Sequence, residues 1–542
     1  MLTTVMTHST SEAPSSGGDT NKKQTTVFED LDSKDNRIAV ATKATGDIMV
    51  ALLVYNMCTW TWLIKLAPGM ISVAEAVHLS SPVYWVIRKT FFAQFCGGET
   101  AKDCVKTMES LKTFGVNSIL DLSLEEDLEA TSSSTTQSDE QTRQRLNKHA
   151  DNVAEQIRTC IETASHQPQA FAAVKITALG SPLVLQQVTT TLRVLEEAFE
   201  SLDIISTGRL DKAGFTALAG MLPNPMNGSA DRLFQEADSD KDGYVDWVDV
   251  KSTLSFHTRE SRELFLTAEP SARIPGLTKE DLHDYEVMLH RLEALCDQAL
   301  GTHTRLMVDA EQTYFQLAIN TTVLHLQQKY NAKAHADGPL IFNTYQMYLK
   351  SAPKHLRDDY RHSQRNGYVL AAKLVRGAYL NSERQRTKDL GLADPICDGI
   401  EATHMAYDAG VQFLLHKIGS ATLATTGVVV VVASHNKASV VKACRQMQAL
   451  GIAPGEGVVM FGQLLGMYDQ LSYTLGAHGY GIYKYVPYGP IQKVIPYLLR
   501  RAQENSAVLG AAGAERAMLW EELKIRLWGS NKQNTIQNSS AL

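Results

Sequence analysis

Eight short apolar runs that alternate with helical patterns constrain the fold of this 542-residue chain more than any other feature. Most of the runs are continuously apolar, as expected for parallel strands buried on both faces. Eight such strands predict an α/β fold of the (β/α)8 barrel type, with an open doubly wound sheet as the competitor. No G-x-G-x-x-G motif follows the first run, which weakens the competitor. The predicted strands are SILDL (118–122), AVKITAL (173–179), RLMVDAE (305–311), PLIFNTY (339–345), VLAAKLVRG (369–377), VVVVVASHN (428–436), GVVMFGQL (457–464) and GIYKYVPYG (481–489).

Polar side chains stand near the carboxyl ends of six of these predicted strands. Barrel enzymes gather their active sites at these ends. A single polar residue there is most often a cap or a satisfied polar group, whereas six in succession favour an active site. The six residues are Asp309, Asn343, Arg376, His435, Gln463 and Tyr485.

The spacing of the strands predicts an insertion in the barrel. About 125 residues separate the second and third strands, far more than ordinary connections in such folds. The predicted organisation is a disordered Ser- and Thr-rich tail (1–36), an N-terminal helical region (37–115), the first barrel strands (116–180) with a polar linker near 130–150, an inserted module (181–300), the remainder of the barrel (301–530) and a C-terminal tail (531–542).

Charge and cysteine content exclude some classes of protein. A net charge of −7 gives no support to nucleic-acid binding, which favours a basic footprint. Seven scattered cysteines without a C-x-x-C motif argue for a reducing compartment and against a disulfide or zinc framework. The most apolar early stretch, 48–65, is short and contains polar residues, so it predicts a buried or amphipathic helix rather than a membrane span.

The segment DSDKDGYVDWVD, Asp238–Asp249, fits the loop of an EF-hand. Asp238, Asp240 and Asp242 occupy positions 1, 3 and 5, and Gly243 stands at the turn. The remaining expected ligands are the Tyr244 carbonyl, Asp246 and Asp249. Position 12 is Asp249, where a bidentate Glu is usual, so the loop predicts weakened Ca²⁺ binding or tolerance of Mg²⁺. An acidic solvated turn is the alternative.

A second loop of the same frame lies thirty-five residues upstream. In DIISTGRLDKAG (203–214), Asp203, Gly208 and Asp211 fit the pattern, but several ligand positions lack carboxylates. This loop is therefore expected to be metal-free and structural, paired with the acidic loop.

The segment IPYLLRRAQEN (495–505) predicts a helix with two adjacent arginines. Pro496 suits a first helical turn. Tyr497, Arg500, Arg501 and Glu504 can share one side of the helix. Neighbouring helix positions differ by about 100°, so one of the two arginines is forced toward whatever the apolar side packs on, and the pattern alone leaves open what binds there.

The segment KLVRGAYLNSER (373–384) places Arg376 and Gly377 at a strand end, where they could meet a phosphate. On spacing alone, a strand-end salt bridge is about as good an explanation.

Seven segments, in order, closely resemble the proline dehydrogenase family, and the resemblance covers roughly residues 45–530. They are VKITALG, LMVDAEQTYFQ, IFNTYQMYLK, KLVRGAYLNSER, ASHN, FGQLLGMYDQLSY and YKYVPYGPIQKVIPYLLRRAQEN. KTFFAQFCGGET (89–100) further resembles the family's N-terminal helices. The resemblance implies a distorted (β/α)8 barrel with an N-terminal helical region and, in this chain, an inserted EF-hand-like helical module.

The resemblance also implies roles for individual residues. Arg500 and Arg501 match the arginines that hold the proline carboxylate, a good match because guanidinium forks bind carboxylates bidentately. Lys175 matches a lysine that faces the substrate, and Asp309 an active-site aspartate near it. Tyr379, Tyr485 and Tyr497 match aromatic residues around the substrate ring. Lys373 is expected near the flavin N5 atom, so Lys175, Asp309 and Lys373 form the expected catalytic set.

The implied cofactor is non-covalent FAD across the strand ends. Its expected contacts are Met307, Asn343, Lys373, Val375, Arg376, Gly377, Ser434, His435, Gln463 and Glu504, the last of which could also orient the arginine fork. The alternative for Met307 is a plain position in the core. The alternative for His435 is a hydrogen-bonded residue that caps the end of its strand.

The implied reaction is hydride transfer from C5 of neutral L-proline to the flavin, giving Δ1-pyrroline-5-carboxylate, the first step of proline catabolism. The resemblance implies ubiquinone as the electron acceptor and peripheral contact with the matrix side of the mitochondrial inner membrane. The N-terminal composition is nevertheless a poor presequence, since residues 1–36 have acids and no arginine.

Three rival functions remain open. Hydroxyproline dehydrogenase is the nearest, and the retained Tyr485 favours proline over it. A calcium-responsive binding protein on an inactive barrel would leave the Lys175, Asp309 and Lys373 set unexplained. A phosphate-binding barrel isomerase would need a glycine-rich loop after a late strand, and VPYGP (486–490) is a poor one.

Overall fold

The computed structural model describes residues 26–32, 40, 43–123, 140–203, 207–225, 230–267, 272–332, 338–419, 421–507 and 509–528. Eight of its strands form a closed, all-parallel barrel in the order β1-β2-β5-β6-β7-β8-β9-β10, and β10 pairs with β1. This confirms the predicted barrel. The strands are β1 (Val116–Leu122), β2 (Phe171–Val174), β3 (Arg209–Asp211), β4 (Tyr244–Asp246), β5 (Arg305–Val308), β6 (Ile341–Gln346), β7 (Leu370–Val375), β8 (Val428–Ala433), β9 (Val459–Leu464) and β10 (Gly481–Tyr488).

Helices surround the barrel and extend its N-terminal side. They are α1 (Val27–Asp32), α2 (Thr45–Cys58), α3 (Thr61–Ala76), α4 (Ser80–Ile87), α5 (Ala93–Phe95), α6 (Ala101–Lys112), α7 (Glu140–Ser165), α8 (Pro182–Leu202), α9 (Lys212–Ala219), α10 (Ala230–Ala237), α11 (Trp247–Thr253), α12 (Arg259–Leu264), α13 (Lys279–Gly301), α14 (Thr313–Tyr330), α15 (Ala352–Arg365), α16 (Leu380–Leu390), α17 (Ile400–Ile418), α18 (Lys437–Leu450), α19 (Asp469–Ala477), α20 (Ile491–Ala507) and α21 (Leu509–Trp528). A π-helical turn, Arg88–Phe92, joins α4 to α5, and a 3-10 turn, Ile176–Ala178, follows β2.

Several predicted strands are longer than the observed ones, and two differences bear on the site. The second strand ends at Val174, because the residues after Lys175 turn into the 3-10 helix. Pro496 lies inside α20 rather than in its first turn, since the helix already begins at Ile491.

The expected disordered tail is partly wrong. Within residues 1–36, only 26–32 are described, and they include the helix α1. Val27 and Leu31, four residues apart, bury one side of α1. His478 lies 2.7 Å from the Asp30 carboxylate, which fixes the helix beside α19. The other residues of that tail, residues 124–139 of the linker region and the tail 531–542 lie outside the described residues.

The chain between β2 and β5 forms two helix–loop–helix units joined by the antiparallel pair β3–β4. The β3–β4 register places Leu210 opposite Val245, and both side chains are buried. Ion pairs attach this module to α15 of the barrel. Lys251 on α11 lies 2.5 Å from Asp359, and the Arg365 guanidinium lies 2.6 Å from Asp246.

Among the described residues, no single helix has the length and apolar character of a membrane span. The pair α2 and α3 meets both criteria together, but its axis bends by 94° between Cys58 and Thr61. The predicted helix over 48–65 is therefore two helices, of which α2 buries one face in the protein.

Candidate active site

Five polar side chains meet at the carboxyl ends of the strands because each lies two residues beyond an apolar residue of the barrel interior. Side chains two positions apart on a strand share a face. The apolar residues, Ile119, Ala173, Met307, Ala371 and Tyr483, belong to one buried cluster. Two positions after them stand Asp121, Lys175, Asp309, Lys373 and Tyr485.

Asp309 is the centre of an ion-pair network. Its carboxylate lies 2.7 Å from the Nζ atom of Lys373 and 3.5 Å from the Nζ atom of Lys175. Lys175 also lies 2.8 Å from Oδ1 of Asp121, which is buried. The two carboxylates and two ammonium groups thus alternate, and every charge that has left water has a partner of opposite sign.

Tyr485 completes the network as a hydrogen-bond donor. Its hydroxyl donates to Oδ2 of Asp309, and Lys373 Nζ lies 5.5 Å from its ring centre. Burial, with the carboxylates of Asp121 and Asp309, raises the pKa of Tyr485 well above its usual value. Burial would also raise the pKa of Asp309, but Lys373 and Lys175 outweigh burial and hold that pKa below its usual value. At neutral pH, Asp309 is charged and Tyr485 is neutral.

Tyr497, Arg501 and Glu504 lie along one side of α20. Nη2 of Arg501 lies 2.6 Å from Oε1 of Glu504, and Cζ of Arg501 lies 5.1 Å from the Tyr497 ring centre. Arg501 and Tyr497 are buried, yet Arg501 Nε and the Tyr497 hydroxyl have no hydrogen-bond partner among the described residues. Arg500 beside them is half-buried. Buried donors with spare capacity suit a carboxylate ligand.

Burial raises the pKa of the Tyr497 phenol, and Arg501 opposes this effect. The carboxylate of Asp121 also contributes to the shift.

Arg376, directly after β7, is held by neutral groups. Its Nε atom lies 3.0 Å from Nδ1 of His404, Nη1 lies 2.7 Å from the Ser434 hydroxyl, and Nη2 lies 2.9 Å from the Ser439 hydroxyl. Its Cζ atom lies 4.3 Å from the Tyr407 ring centre. Burial lowers the pKa of this guanidinium. A cation whose direct partners are hydroxyls and an imidazole fits a phosphate better than a second internal salt bridge.

Gly377 lets the backbone pass close to Tyr348. Its φ is +142°, and an added Cβ atom would stand 2.4 Å from Cε1 of Tyr348. Both facts exclude a larger residue here without a rearrangement, and they leave the backbone after Arg376 open to a ligand.

Ser434, His435 and Gln463 form a connected group at the ends of β8 and β9. Gln463 Nε2 donates to the Ser434 carbonyl at 3.1 Å and its oxygen accepts from the Ser472 hydroxyl. The Nε2 atom of His435 accepts from the Leu464 N–H at 3.4 Å. Burial, with the nearby Lys484 and Arg501 cations, lowers the pKa of His435 to about 3, so its imidazole is neutral.

Four further predicted residues are placed less closely around the network. Met307 is fully buried one layer below Asp309, in the interior cluster. Val375 and Tyr379 are half-buried, at the end of β7 and just before α16. Asn343 points the other way. It is adjacent to the interior residue Phe342 and so faces the helices, with Nδ2 3.3 Å from Oδ1 of Asn320 on α14. Strand alternation thus puts Asn343 on the helix-facing side of β6, as it puts Gln463 on that side of β9, and the cofactor contact of Asn343 stays a prediction.

Asp121 is the main site residue that the sequence reasoning missed. It lies inside the apolar run SILDL, where a single acidic residue gives no sign of a functional site. It was therefore not among the six polar residues predicted at the strand ends. The signal that could have found it is its position two residues after Ile119, on the same face as the other network residues. His404 and Ser439 were missed because they lie on α17 and α18 rather than on strands.

The acidic loop of the module brings three predicted ligands together. One carboxylate oxygen from each of Asp238, Asp240 and Asp242 lies within 4.8 Å of the others. Gly243 has φ +84°, as the sharp turn requires. The exposed Tyr244 donates its N–H to Oδ1 of Asp242 at 2.8 Å.

The last two predicted ligands of this loop are bound to the barrel. Arg365 Nη1 lies 2.7 Å from Oδ1 of Asp249 and Nη2 lies 2.6 Å from Oδ2 of Asp246. Asp249 also caps α11 by accepting from the Asp246 N–H at 2.9 Å. In this arrangement a guanidinium holds the carboxylates expected at positions 9 and 12.

Comparisons with known proteins agree with this geometry. The profile of the proline dehydrogenase family matches residues 104–512. The chain is 33% identical to human mitochondrial proline dehydrogenase 1, over 91% of this chain and 89% of the human protein. It is 31% identical to hydroxyproline dehydrogenase of Bos taurus, over 90% of this chain and 92% of the relative.

A solved structure shares the fold. Proline utilization A from Bdellovibrio bacteriovorus, inactivated by N-propargylglycine, superposes with a TM-score of 0.53 at 14% sequence identity. The match covers 91% of this chain but only 42% of that longer protein.

The closed parallel barrel, with its ionic cluster at the carboxyl ends of the strands, defines a (β/α)8-barrel enzyme. The family profile matches three quarters of the chain. The chain therefore belongs to the proline dehydrogenase family. It is an oxidoreductase that acts on proline, at the first step of proline catabolism. The family implies a flavin cofactor. The site fits one, because Arg376 has only neutral direct partners, Gly377 has no side chain and His435 is neutral.

Proposed function

We propose that the strand-end network and α20 together bind L-proline for oxidation to Δ1-pyrroline-5-carboxylate. The observation that carries this proposal is the pair of buried, under-bonded groups on α20, Arg501 and Tyr497, beside an ionic network that is otherwise balanced. A balanced network supplies no charge for an anionic substrate, whereas the two arginines of α20 stand against the single carboxylate of Glu504 and so leave a net positive charge. The proline carboxylate binds to Arg500 and Arg501, with Tyr485 and Tyr497 against its ring.

Each network residue has a defined part in this proposal. Lys175, Asp309 and Lys373 keep their charges because each has an opposite partner, so the site presents fixed dipoles rather than mobile protons. Lys373 would hold the reacting end of a bound flavin, where its cation would favour the reduced, anionic form. Glu504 holds the Arg501 fork in position.

The proline nitrogen must lose its proton before C5 can give up a hydride, because the nitrogen lone pair forms the new C=N bond. A site with little water favours the neutral amine. Asp309 is a poor acceptor for this proton, since its pKa is held below the usual value. We infer that the proton leaves to water.

The cofactor proposed here is FAD, with Arg376 and the Gly377 backbone at its phosphates and Ser434, His435 and Gln463 around them. When bound, the flavin accepts a hydride. Met307 and Val375 are proposed as apolar contacts, and Asn343, whose side chain bonds to Asn320 of α14, as a more distant one.

The proposed electron acceptor is ubiquinone, and the proposed location is the matrix side of the mitochondrial inner membrane. The support is that relatives from human and Caenorhabditis elegans, both 33% identical, are named as mitochondrial.

The proposal also includes a divalent cation, Ca²⁺ or Mg²⁺, at the acidic loop of the module. The three clustered aspartates support it, and the ion pairs of Arg365 with Asp246 and Asp249 oppose it. Binding therefore requires these carboxylates to leave Arg365 or be replaced by water.

An anaerobic absorbance titration of the purified, flavin-loaded protein tests the central proposal. Addition of L-proline is expected to bleach the flavin band, and trans-4-hydroxyproline to do so poorly because Tyr485 fills the site. Arg500→Met and Arg501→Met should raise the proline concentration needed for half bleaching, each by about tenfold or more, since a hydrogen bond to a charged group is worth about 1.5–3 kcal/mol. Arg145→Met, at an exposed position of α7, is the matched control. Unchanged titration curves for both arginine variants would remove the carboxylate role.

A further inference from the structure

The outer side of α3 and α4 is an uncovered apolar surface. Six large apolar side chains on it are between 55% and 63% exposed in the structure. We call this surface the α3–α4 face, defined by Trp62, Leu66, Met70, Val73, Leu79 and Trp85.

The face is a continuous stripe rather than scattered apolar residues. Trp62, Leu66, Met70 and Val73 follow one another by four, four and three positions, so they fall within one narrow sector of α3. Ile64, on the opposite side of the helix, is the only residue of α3 classed as buried. A helix on a protein surface that faces water normally has polar residues on its outer side and apolar residues on its inner side.

The charges around the face are sparse and mainly positive. Between Met57 and Phe92 the cations are Lys65, Arg88 and Lys89, and the only carboxylate is Glu75. Glu75 accepts a hydrogen bond from Tyr84. Because Arg88 pairs with Glu99 at 2.5 Å, Lys65 and Lys89 leave a small positive excess over Glu75, on a chain whose net charge is −7.

The face lies directly behind the substrate helix. Ile64 of α3 and Tyr84 of α4 belong to the same buried cluster as Tyr497 of α20. The inner side of α3 and α4 therefore supports the helix that carries Arg501, while their outer side has no protein cover among the described residues.

Three occupants could cover such a face. The segments of this chain outside the described residues are poor candidates, because 1–25, 124–139 and 529–542 are rich in Ser, Thr, Asn, Gln and acidic residues. A second copy of the chain would have to pair two like-charged surfaces. A phospholipid bilayer supplies an apolar layer for the stripe and anionic headgroups for the cations.

We propose that the α3–α4 face is the membrane-docking surface of this protein, with α3 lying in the plane of the lipid–water interface. Trp62 at the start of the stripe and Trp85 on α4 are exposed, and tryptophan is the side chain favoured at that depth. The 94° bend between α2 and α3 turns the stripe away from α2, whose inner side is fixed in the protein. Docking then places the back of the proline site against the membrane.

This inference rests on the proposed function, in which the electron acceptor is dissolved in the lipid. It also predicts that the enzyme binds lipid without substrate or acceptor, so docking can be measured separately from catalysis.

The test is flotation of the full chain with vesicles of phosphatidylcholine and phosphatidylglycerol. The double variant Leu66→Glu/Met70→Glu should reduce the bound fraction about tenfold or more, since burial of one such side chain is worth about that factor. The matched control is Leu392→Glu/Met405→Glu, which changes two equally exposed residues of the same types elsewhere and should bind like the parent. Trp62→Ser, which adds no charge, should weaken binding in the same direction.

Each sample is also assayed for proline oxidation with a soluble dye as electron acceptor. Dye activity should be equal in all variants, which shows that they fold. Equal flotation of the α3–α4 variant and the control would overturn the docking surface, as would a parent protein that does not float. A parent dimer that the α3–α4 variant dissociates would assign the face to a second copy instead. If the parent protein shows no proline oxidation with the dye, the proposed function is wrong, whereas the flotation result still tests the docking surface.

Discussion

Replacement of Asp309 by Asn is the most direct test of the ionic network. The substitution keeps the size of the side chain and removes its charge. At an effective dielectric constant of about 20, the attraction of Asp309 is about 6 kcal/mol to Lys373 at 2.7 Å and about 5 kcal/mol to Lys175 at 3.5 Å. The cost of removing the carboxylate from water opposes these values. We expect a net loss of about 3–5 kcal/mol in the free energy of unfolding, typical of a broken buried pair.

A comparison with Asp121→Asn sharpens this expectation. Lys175 loses its nearer partner in that variant but keeps Asp309, whereas Lys373 keeps its partner entirely. Asp121→Asn should therefore cost clearly less than Asp309→Asn. Asp151→Asn is the control, because its pair with Arg291 is exposed on the aspartate side and such pairs contribute about 0–1 kcal/mol.

Urea unfolding followed by tryptophan fluorescence measures the three differences, and steady-state kinetics with proline measures the effect on catalysis. The reasoning is refuted if Asp309→Asn costs no more than the Asp151 control. It is also refuted if Asp121→Asn costs as much as Asp309→Asn, because the network would then not centre on Asp309.

Three further outcomes follow from the structure. The pKa of Asp309 is lowered on folding, so its stabilisation is present above the unfolded pKa of about 4 and is lost as pH falls through the folded pKa. The stability gap between parent and Asp309→Asn should therefore be constant from pH 7 to about 5 and narrow towards pH 3, in urea titrations. Gly377→Ala should lower the unfolding temperature and release flavin, because its Cβ meets Tyr348, whereas Gly391→Ala, with open space around it, should cost only about 1–2 kcal/mol. Arg365→Ala should tighten Ca²⁺ binding in calorimetry, since it frees Asp249; unchanged or weaker binding would contradict competition between the arginine and the metal.

The barrel could be predicted because its strands are buried on both faces. A continuous apolar run such as Val428–Ala433 has few alternatives to a central parallel strand. Strand ends are less certain, since the turn after Lys175 depends on packing around the site rather than on local propensity.

The candidate site was predictable where family motifs and strand alternation agree, as at Lys175, Asp309 and Lys373. Alternation applied to every strand would also have found Asp121 and shown that Asn343 and Gln463 face the helices. The ion pairs of Arg365 with the acidic loop could not be predicted, because they join residues more than a hundred positions apart. The exposure of α3 was equally hidden, since an apolar helix has the same composition whether it meets protein or lipid.

The inserted module has a consequence for the order of folding. The strands β2 and β5 are neighbours in the barrel, yet about 130 residues separate Val174 from Arg305. Closing so long a loop costs about 3 kcal/mol more than closing an ordinary connection of about four residues. If the module folds first, the neighbouring helices α8 and α13 bring the two strands together and most of that entropy is already lost. The folded module then holds β2 and β5 close together before they pair. Mutations that unfold the module should therefore slow refolding of the whole chain, even where no contact within the barrel has changed.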